Sequence, residues 1–263
     1  MEVRMTLLVV LISLAVMPVL SQAIDYRQIR QLAAEYNVTC MLVFGDSSVD
    51  PGNNNRIPLA PKGNFPPYGK DLFNGHPTGR LSNGRLATDF IAEALGYSNV
   101  VRAFLDPTLR KVDLLHGVSF ASAGSGYDDL TVNFSELHKL GARRLAVVGL
   151  SPFGCCPLVK TMRDITNCYD EYNQVALSFN SMIKHNLANL QATLGMQNVL
   201  IDIYHVMTSA ITNPNKYGFL ETSKGCCGTG LYEYSETCRG YEHMPRPIQV
   251  CVLGCCSSNT ENV

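Results

Sequence analysis

Hydrophobic positions along this chain follow two different periods in turn, the pattern of alternating strands and helices. Short apolar runs at residues 40–44, 118–121, 144–150 and 199–204 predict strands, and the first has the continuous apolar character of a strand covered on both faces. Apolar residues recur with a helical period at 86–95, 134–140 and 169–194, and a glycine follows each segment. The pattern predicts an α/β fold, a doubly wound parallel sheet sandwich of flavodoxin-like type, in one domain.

The end of the first predicted strand carries a candidate nucleophile. Residues 42–55 read Leu-Val-Phe-Gly-Asp-Ser-Ser-Val-Asp-Pro-Gly-Asn-Asn-Asn, so Ser47 stands where the strand breaks into a turn. Ligands of open α/β sheets bind at this edge. A cap on a loop is the alternative for an isolated Gly-Asp-Ser. We expect Asp46 to brace the turn by accepting backbone N–H bonds rather than to act as an acid or base. Residues 50–85 form a long Gly-, Pro- and Asn-rich loop of the kind used for binding.

The first 23 residues predict a secretory signal peptide. Arg4 precedes an apolar run, and Ser21-Gln22-Ala23 is a small-x-small cleavage site. An uncleaved anchor is the alternative, although the run is no longer than the roughly 18–20 residues needed to span a membrane. We therefore expect a secreted protein without an integral membrane segment after cleavage, with a main domain at 24–240 and an atypical Cys- and Ser-rich tail at 241–263.

Ten cysteines behind a signal peptide favour disulfides in an oxidising compartment. The expected bonds close loops from Cys155 to Cys168 and from Cys226 or Cys227 to Cys238, although the sequence does not fix the connectivity. Metal binding is the competing interpretation, but adjacent cysteine pairs lack the Cys-x-x-Cys spacing of zinc sites and no histidines cluster near them. No metal and no cofactor are expected.

Two Asn-x-Ser/Thr sequons, at Asn37 and Asn133, predict glycan sites on a secreted chain. The formal net charge is −1 and the pI is near 6.6. This balance gives no electrostatic reason to expect nucleic acid or an anionic membrane surface as a partner.

An ordered series of motifs resembles the plant GDSL esterase/lipase family of the SGNH hydrolases. The motifs are Phe-Gly-Asp-Ser at 44–47, Asn-Asn-Asn at 53–55, Asn-Phe-Pro-Pro-Tyr-Gly at 64–69, Pro-Thr-Gly-Arg at 77–80, Leu-Ser-Asn-Gly-Arg at 81–85, Gly-Val-Ser-Phe-Ala-Ser-Ala-Gly-Ser-Gly at 117–126, Leu-His-Lys-Leu-Gly-Ala-Arg-Arg at 137–144, Pro-Phe-Gly-Cys at 152–155 and Gly-Cys-Cys-Gly at 225–228. The resemblance implies that residues 24–240 form a hydrolase-like domain that cleaves acyl esters of lipids or cell-wall components. It makes Ser47 the nucleophile and the backbone N–H groups of Ser47 and Gly124 the oxyanion donors.

Two motifs of the family are missing from this chain. The family's third block, Gly-x-Asn-Asp, supplies a further oxyanion donor, and the last, Asp-x-x-His, supplies the acid and the base. Here the chain passes from residue 130 to the next helix in a few residues, and the segment around Glu242 and His243, before the tail, has no Asp-x-x-His. His243 is the nearest candidate base, Glu242 cannot replace the missing Asp, and the base remains unassigned. The other histidines are expected to be structural or exposed: His76, His116, His138, His185 and His205.

The losses predict consequences for both fold and activity. In the family the third block follows a strand in the middle of the sheet. Loss of that strand leaves the backbone hydrogen-bonding groups of both neighbouring strands unpaired and an apolar face uncovered, unless the flanking strands move together. Two functions are therefore open: a secreted ester hydrolase, or a non-catalytic shortened family member or incorrect gene model that binds acyl or glycan ligands. A small extracellular interaction protein would explain the cysteines but not the ordered motifs.

Overall fold

The computed structural model describes residues 25–126, 134–219, 221–225 and 229–232. The strands are β1 (Met41–Val43), β2 (Gly117–Ser119), β3 (Arg144–Val148) and β4 (Gln197–Ile201). The α-helices are α1 (Tyr26–Glu35), α2 (Ala87–Leu95), α3 (Phe134–Lys139), α4 (Pro157–Arg163), α5 (Asp170–Leu194) and α6 (Ile203–Thr212). The signal peptide at 1–23 and the tail at 241–263 lie outside the described residues.

The helices with apolar periodicity and a following glycine form where the sequence predicts them. Helix α2 is capped at its C-terminus by Gly96 and α5 by Gly195, both in the left-handed conformation, with φ of 83° and 65°. A residue without a Cβ takes this conformation without strain, so each glycine ends its helix. Gly141, after α3, also has a positive φ, of 102°.

The strands form two separate parallel pairs. In the first, Met41 lies opposite Gly117 and Val43 opposite Ser119. In the second, the register runs from Arg144 opposite Gln197 to the pair of Val148 and Ile201. Within the described ranges no ladder joins the two sheets. The α/β class with parallel pairing is confirmed in an incomplete form, and the flanking strands have not come together to close the sheet.

Each sheet keeps one poorly covered apolar face. Val43 is buried against Ala92, Val101 and Ala121. Its neighbours on the opposite face are half exposed: Leu42 by 52% and Phe44 by 53%. The prediction that this strand is covered on both faces is therefore wrong, because in the described part of the chain only one face of β1 has a buried cluster against it. The second sheet shows the same pattern at three positions: Val148, Val199 and Ile201.

The predicted strand at 199–204 is too long by three residues, because a helix begins inside it. Asp202 is the N-cap of α6, and its Oδ1 accepts a hydrogen bond from the backbone N–H of His205 at 3.1 Å. This bond satisfies a donor that a new helix leaves unpaired. Helices α1, α4 and α6 were not predicted. For α4 the available signal was Pro157 at its first position.

The predicted disulfide between Cys155 and Cys168 is confirmed, with an S–S distance of 2.07 Å. The bond predicted from Cys226 or Cys227 to Cys238 lies outside the described residues. Cys156 is a buried free thiol, and burial raises its pKa to about 11. The thiol therefore stays protonated at neutral pH, which makes it a poor nucleophile.

A buried ion pair ties the long loop to α2. The Asp89 carboxylate is fully buried and accepts hydrogen bonds from the Arg80 guanidinium at 2.9 Å and from the backbone N–H groups of Leu86 and Val101, each at 2.7 Å. Arg80 also donates to the Val101 carbonyl at 3.0 Å. Burial lowers the pKa of Arg80, while the charges of Asp89 and Asp50 act in the opposite direction.

We predict that Asp89→Asn lowers the free energy of unfolding by about 3–5 kcal/mol, because it leaves the Arg80 charge buried and unpaired. The matched control is Glu93→Gln on the same helix, which breaks the partly exposed Arg85–Glu93 pair at 2.7 Å. We expect less than about 1 kcal/mol there. Urea denaturation of the unsubstituted chain and the two variants measures both changes in the free energy of unfolding. Equal losses in the two variants would contradict the view that the Arg80–Asp89 pair contributes more than the partly exposed one.

Candidate active site

The Ser47 turn follows β1 directly and is braced by Asp46. The chain leaves the strand at Val43 and enters a short 3₁₀ helix at Ser47–Val49. Asp46 caps this helix: its Oδ1 accepts hydrogen bonds from the backbone N–H of Ser48 at 2.9 Å and from the Ser48 hydroxyl at 2.7 Å. The prediction that Asp46 is a turn carboxylate is confirmed.

The Ser47 side chain is exposed at this turn. Within the described part of the chain, its hydroxyl has no hydrogen-bond partner. A serine hydroxyl becomes a strong nucleophile when a neighbouring base accepts its proton. The arrangement therefore offers an accessible serine that no described base activates.

A second turn, carrying Gly124, lies beside the first one. Past the ends of β1 and β2 the two segments of the chain stay hydrogen-bonded. The Phe120 N–H donates to the Val43 carbonyl at 2.8 Å, and the Ser122 N–H donates to the Gly45 carbonyl at 2.9 Å. Both turns therefore leave the same edge of the sheet. Gly124 has a φ of 93°, and a Cβ built there meets no atom of the described residues within 4 Å. As far as those residues are concerned, its backbone is open to an approaching molecule, as an oxyanion donor requires.

A buried carboxylate connects the two turns. Asp50 is completely buried. Its Oδ1 accepts hydrogen bonds from the backbone N–H groups of Gly52 and Asn53, each at 2.8 Å, and its Oδ2 accepts one from the N–H of Ala123 at 3.0 Å. The last bond spans 73 residues of sequence. One side chain from the Ser47 segment thus holds the residue just before Gly124.

Two buried asparagine side chains extend this connection. Asn53 donates through Nδ2 to the carbonyls of Ser119 at 2.9 Å and Ala121 at 2.8 Å. Asn54 donates through Nδ2 to the Ala123 carbonyl at 2.9 Å and accepts the Ser122 hydroxyl at 2.5 Å. We call Asp50, Asn53 and Asn54 the buried polar cluster. The sequence places these residues in a functional loop without assigning them a role; the available signal was the asparagine run directly after Asp-Pro-Gly.

An Asp-x-x-His pair does occur, but at the start of α6. His205 Nδ1 lies 2.6 Å from Asp202 Oδ2, and both side chains are largely exposed. The His205 backbone N–H bond lowers the pKa of Asp202, together with the imidazole bond. The pair caps a helix, and in the described residues neither member hydrogen-bonds Ser47. His205 is exposed, as predicted, but its Asp partner was missed.

The remaining histidines take other positions. The His116 ring stacks on Tyr97 with centroids 5.1 Å apart. His76 and His185 are exposed, and His138 is half-buried. None of the histidines in the described ranges hydrogen-bonds Ser47. His243 and Glu242 lie outside those ranges.

Of the two sequon asparagines, the structure describes one. Asn37 is exposed in the turn after α1, with a φ of 51°, while Asn133 lies outside the described residues. Within those residues no helix is long and apolar enough to cross a membrane, and no group of three or more potential metal ligands is present.

Comparison with known proteins identifies the family. The model of the GDSL-like Lipase/Acylhydrolase family matches residues 41–137 and 128–237. The GDSL esterase/lipase At5g45950 of Arabidopsis thaliana is 41% identical, covering 91% of this chain and 89% of the relative. Two further Arabidopsis thaliana proteins, GDSL esterase/lipase At5g45960 and At4g26790, are 35% and 34% identical over 78% and 79% of this chain and over 77% and 84% of their own lengths. With this coverage and the ordered motifs, the chain belongs to the GDSL esterase/lipase family of hydrolases.

Proposed function

We propose that this chain is a shortened ester hydrolase that acts on acyl esters of lipids or cell-wall components through Ser47, with a turnover far below that of a complete family member. The observation that carries the proposal is the buried polar cluster, because Asp50 and Asn54 hold the Gly124 turn beside the Ser47 turn. Such a cluster keeps the nucleophile and its oxyanion donors in one arrangement.

In the proposed reaction the Ser47 hydroxyl oxygen attacks the ester carbonyl and the hydroxyl proton passes to a base. The backbone N–H groups of Ser47 and Gly124 stabilise the negative charge on the carbonyl oxygen. The base returns the proton to the departing alcohol oxygen, and water then cleaves the acyl-enzyme, which releases the carboxylic acid and restores the Ser47 hydroxyl. Loss of the family's third donor lowers such a rate about 10²–10³-fold. Without a neighbouring base, only the residual rate from binding and the oxyanion donors remains.

Three observations support the shortening. The family model matches in two pieces that overlap at residues 128–137, where the Gly-x-Asn-Asp block is missing. The alignment with the 41%-identical relative spans 318 residues, whereas 91% of this 263-residue chain is about 239, a difference of about 79. The parallel strands form two unconnected pairs in the described residues, as the loss of a central strand would leave them.

A second candidate function is a non-catalytic family member that binds acyl or glycan ligands. The unpartnered Ser47 hydroxyl favours it, since position alone does not raise serine nucleophilicity. The two candidates differ in one measurable respect. Ester cleavage that depends on Ser47 supports the hydrolase, and binding without such cleavage supports the second function.

We predict that the chain hydrolyses p-nitrophenyl acetate or butyrate with a kcat/KM at least about 10³-fold below that of a form with both missing blocks restored, since the base and an oxyanion donor are absent together. Ser47→Ala in each background is the control for uncatalysed cleavage. Equal kcat/KM values in the two forms would contradict the prediction. His205→Ala and His243→Ala would then be the first variants in the search for a replacement base.

We also propose that the chain is secreted, with cleavage after Ala23 and a glycan on Asn37, on the basis of the signal pattern and the exposed sequon. The intact mass of material secreted by plant cells tests both, and Asn37→Gln serves as the matched unglycosylated control. We expect the mass to lack residues 1–23 and to fall by one glycan in the variant. A mass that still includes residues 1–23 would contradict cleavage of the signal peptide and the secreted location.

A further inference from the structure

The peptide unit between Ala123 and Gly124 is held by Asn54. The Ala123 carbonyl accepts the Asn54 Nδ2 donor at 2.9 Å, and the preceding N–H of Ala123 donates to Asp50 at 3.0 Å. The only cis peptide bond in the described residues is Pro66–Pro67, so the unit from Ala123 to Gly124 is trans. In a planar trans peptide the carbonyl and the following N–H point in opposite directions. The bond that fixes the Ala123 carbonyl therefore also fixes the direction of the Gly124 N–H.

No group of Gly124 itself fixes the direction of its N–H. The residue has no side chain, a Cβ built there meets nothing within 4 Å, and its N–H has no hydrogen-bond partner in the described part of the chain. Asn54, by contrast, is completely buried and uses both ends of its amide, donating to Ala123 and accepting the Ser122 hydroxyl at 2.5 Å. A buried amide with both ends bonded has one low-energy orientation, because turning it leaves polar groups unpaired.

We propose that Asn54 is a positioning residue that aims the Gly124 N–H at the oxyanion. This inference rests on the proposed function, in which Gly124 is an oxyanion donor. Asn54 does not touch the ester; it acts through the peptide unit whose carbonyl it binds. Removing its donor should therefore weaken stabilisation of the negative oxygen without changing Ser47.

The test compares Asn54→Asp with Asn55→Asp. Asn54→Asp keeps the side-chain shape but replaces the Nδ2 donor with an oxygen facing the Ala123 carbonyl. Asn55→Asp is the matched control, because Asn55 Nδ2 donates in the same way to a backbone carbonyl, that of Thr78 at 2.7 Å, and makes no hydrogen bond to Ala123. Both variants introduce one carboxylate at adjacent positions.

The first measurement is residue-resolved amide hydrogen exchange, which needs no catalysis. Ala123 and Ser125 donate to Asp50 and to the Ser122 carbonyl, so their exchange reports whether this turn is held. We expect exchange at both amides to rise at least about tenfold in Asn54→Asp and to stay unchanged in Asn55→Asp. Unchanged exchange in Asn54→Asp would overturn the proposal.

The second measurement is the ratio of Ser47 acylation rates with an ester and with the corresponding thionoester. Well-placed N–H donors favour the oxygen anion over the more weakly accepting sulfur anion, so the ratio reports donor placement. A general loss of folded protein lowers both rates equally and leaves the ratio constant. We expect the ratio to fall at least about fivefold in Asn54→Asp only, within the range of an oxyanion donor's contribution. An unchanged ratio would overturn the proposal. Cleavage that Ser47→Ala leaves intact would instead reject the proposed function, while the exchange measurement still decides whether Asn54 holds the turn.

Discussion

The Asp50 carboxylate is the constraint on which the arrangement of this site depends. It is completely buried and accepts three backbone N–H groups, two from its own turn and one from Ala123. A charge without water is tolerated only when such bonds replace its hydration. The carboxylate therefore requires the chain near Gly124 to lie against the Ser47 segment. Asn53 and Asn54 repeat this requirement with neutral amides, and together the cluster fixes two turns that are far apart in sequence.

This constraint is local, which explains how an incomplete sheet can coexist with an ordered turn region. The buried polar cluster and the Arg80–Asp89 pair lie within residues 50–123 and need no contribution from β3 or β4. The sheet, in contrast, depends on neighbours. Each described pair of strands has open ladders and half-exposed apolar side chains, such as Leu42 and Val199, on one face. Edges and surfaces of this kind promote association with other chains.

Local signals in the sequence predicted part of this structure. The glycines at 96 and 195 marked helix ends because only a residue without a Cβ takes the left-handed conformation freely. Cys155 and Cys168 paired as expected. The end of β4 was missed because Ile203 and Tyr204 suit a strand or a helix, and the choice depends on a cap bond to Asp202.

The candidate site was predictable in its positions and not in its connections. The strand-to-turn pattern located Ser47, and the resemblance to the family pointed to Gly124 in the glycine turn. The partners of Asp50 and Asn54 were not predictable, because both side chains bond to residues some 70 positions away that only the folded chain brings near. The half-exposure of β1 was missed for a related reason. A run of apolar residues indicates that a strand is suited to burial on both faces, but it does not show whether the elements that would cover those faces are present.

The central claim is that this chain keeps the geometry of the nucleophile and lacks its activation. It is tested most directly by the rate at which a fluorophosphonate probe labels Ser47, because that reaction requires an activated hydroxyl and no particular ester. The chain and a form with both missing blocks restored would be labelled side by side, each with its Ser47→Ala variant. The account predicts rapid labelling of the restored form and labelling at least about 10³-fold slower of this chain, in line with the loss of a catalytic base. Rapid labelling of this chain that Ser47→Ala abolishes would contradict it and would show that a base has been recruited from elsewhere.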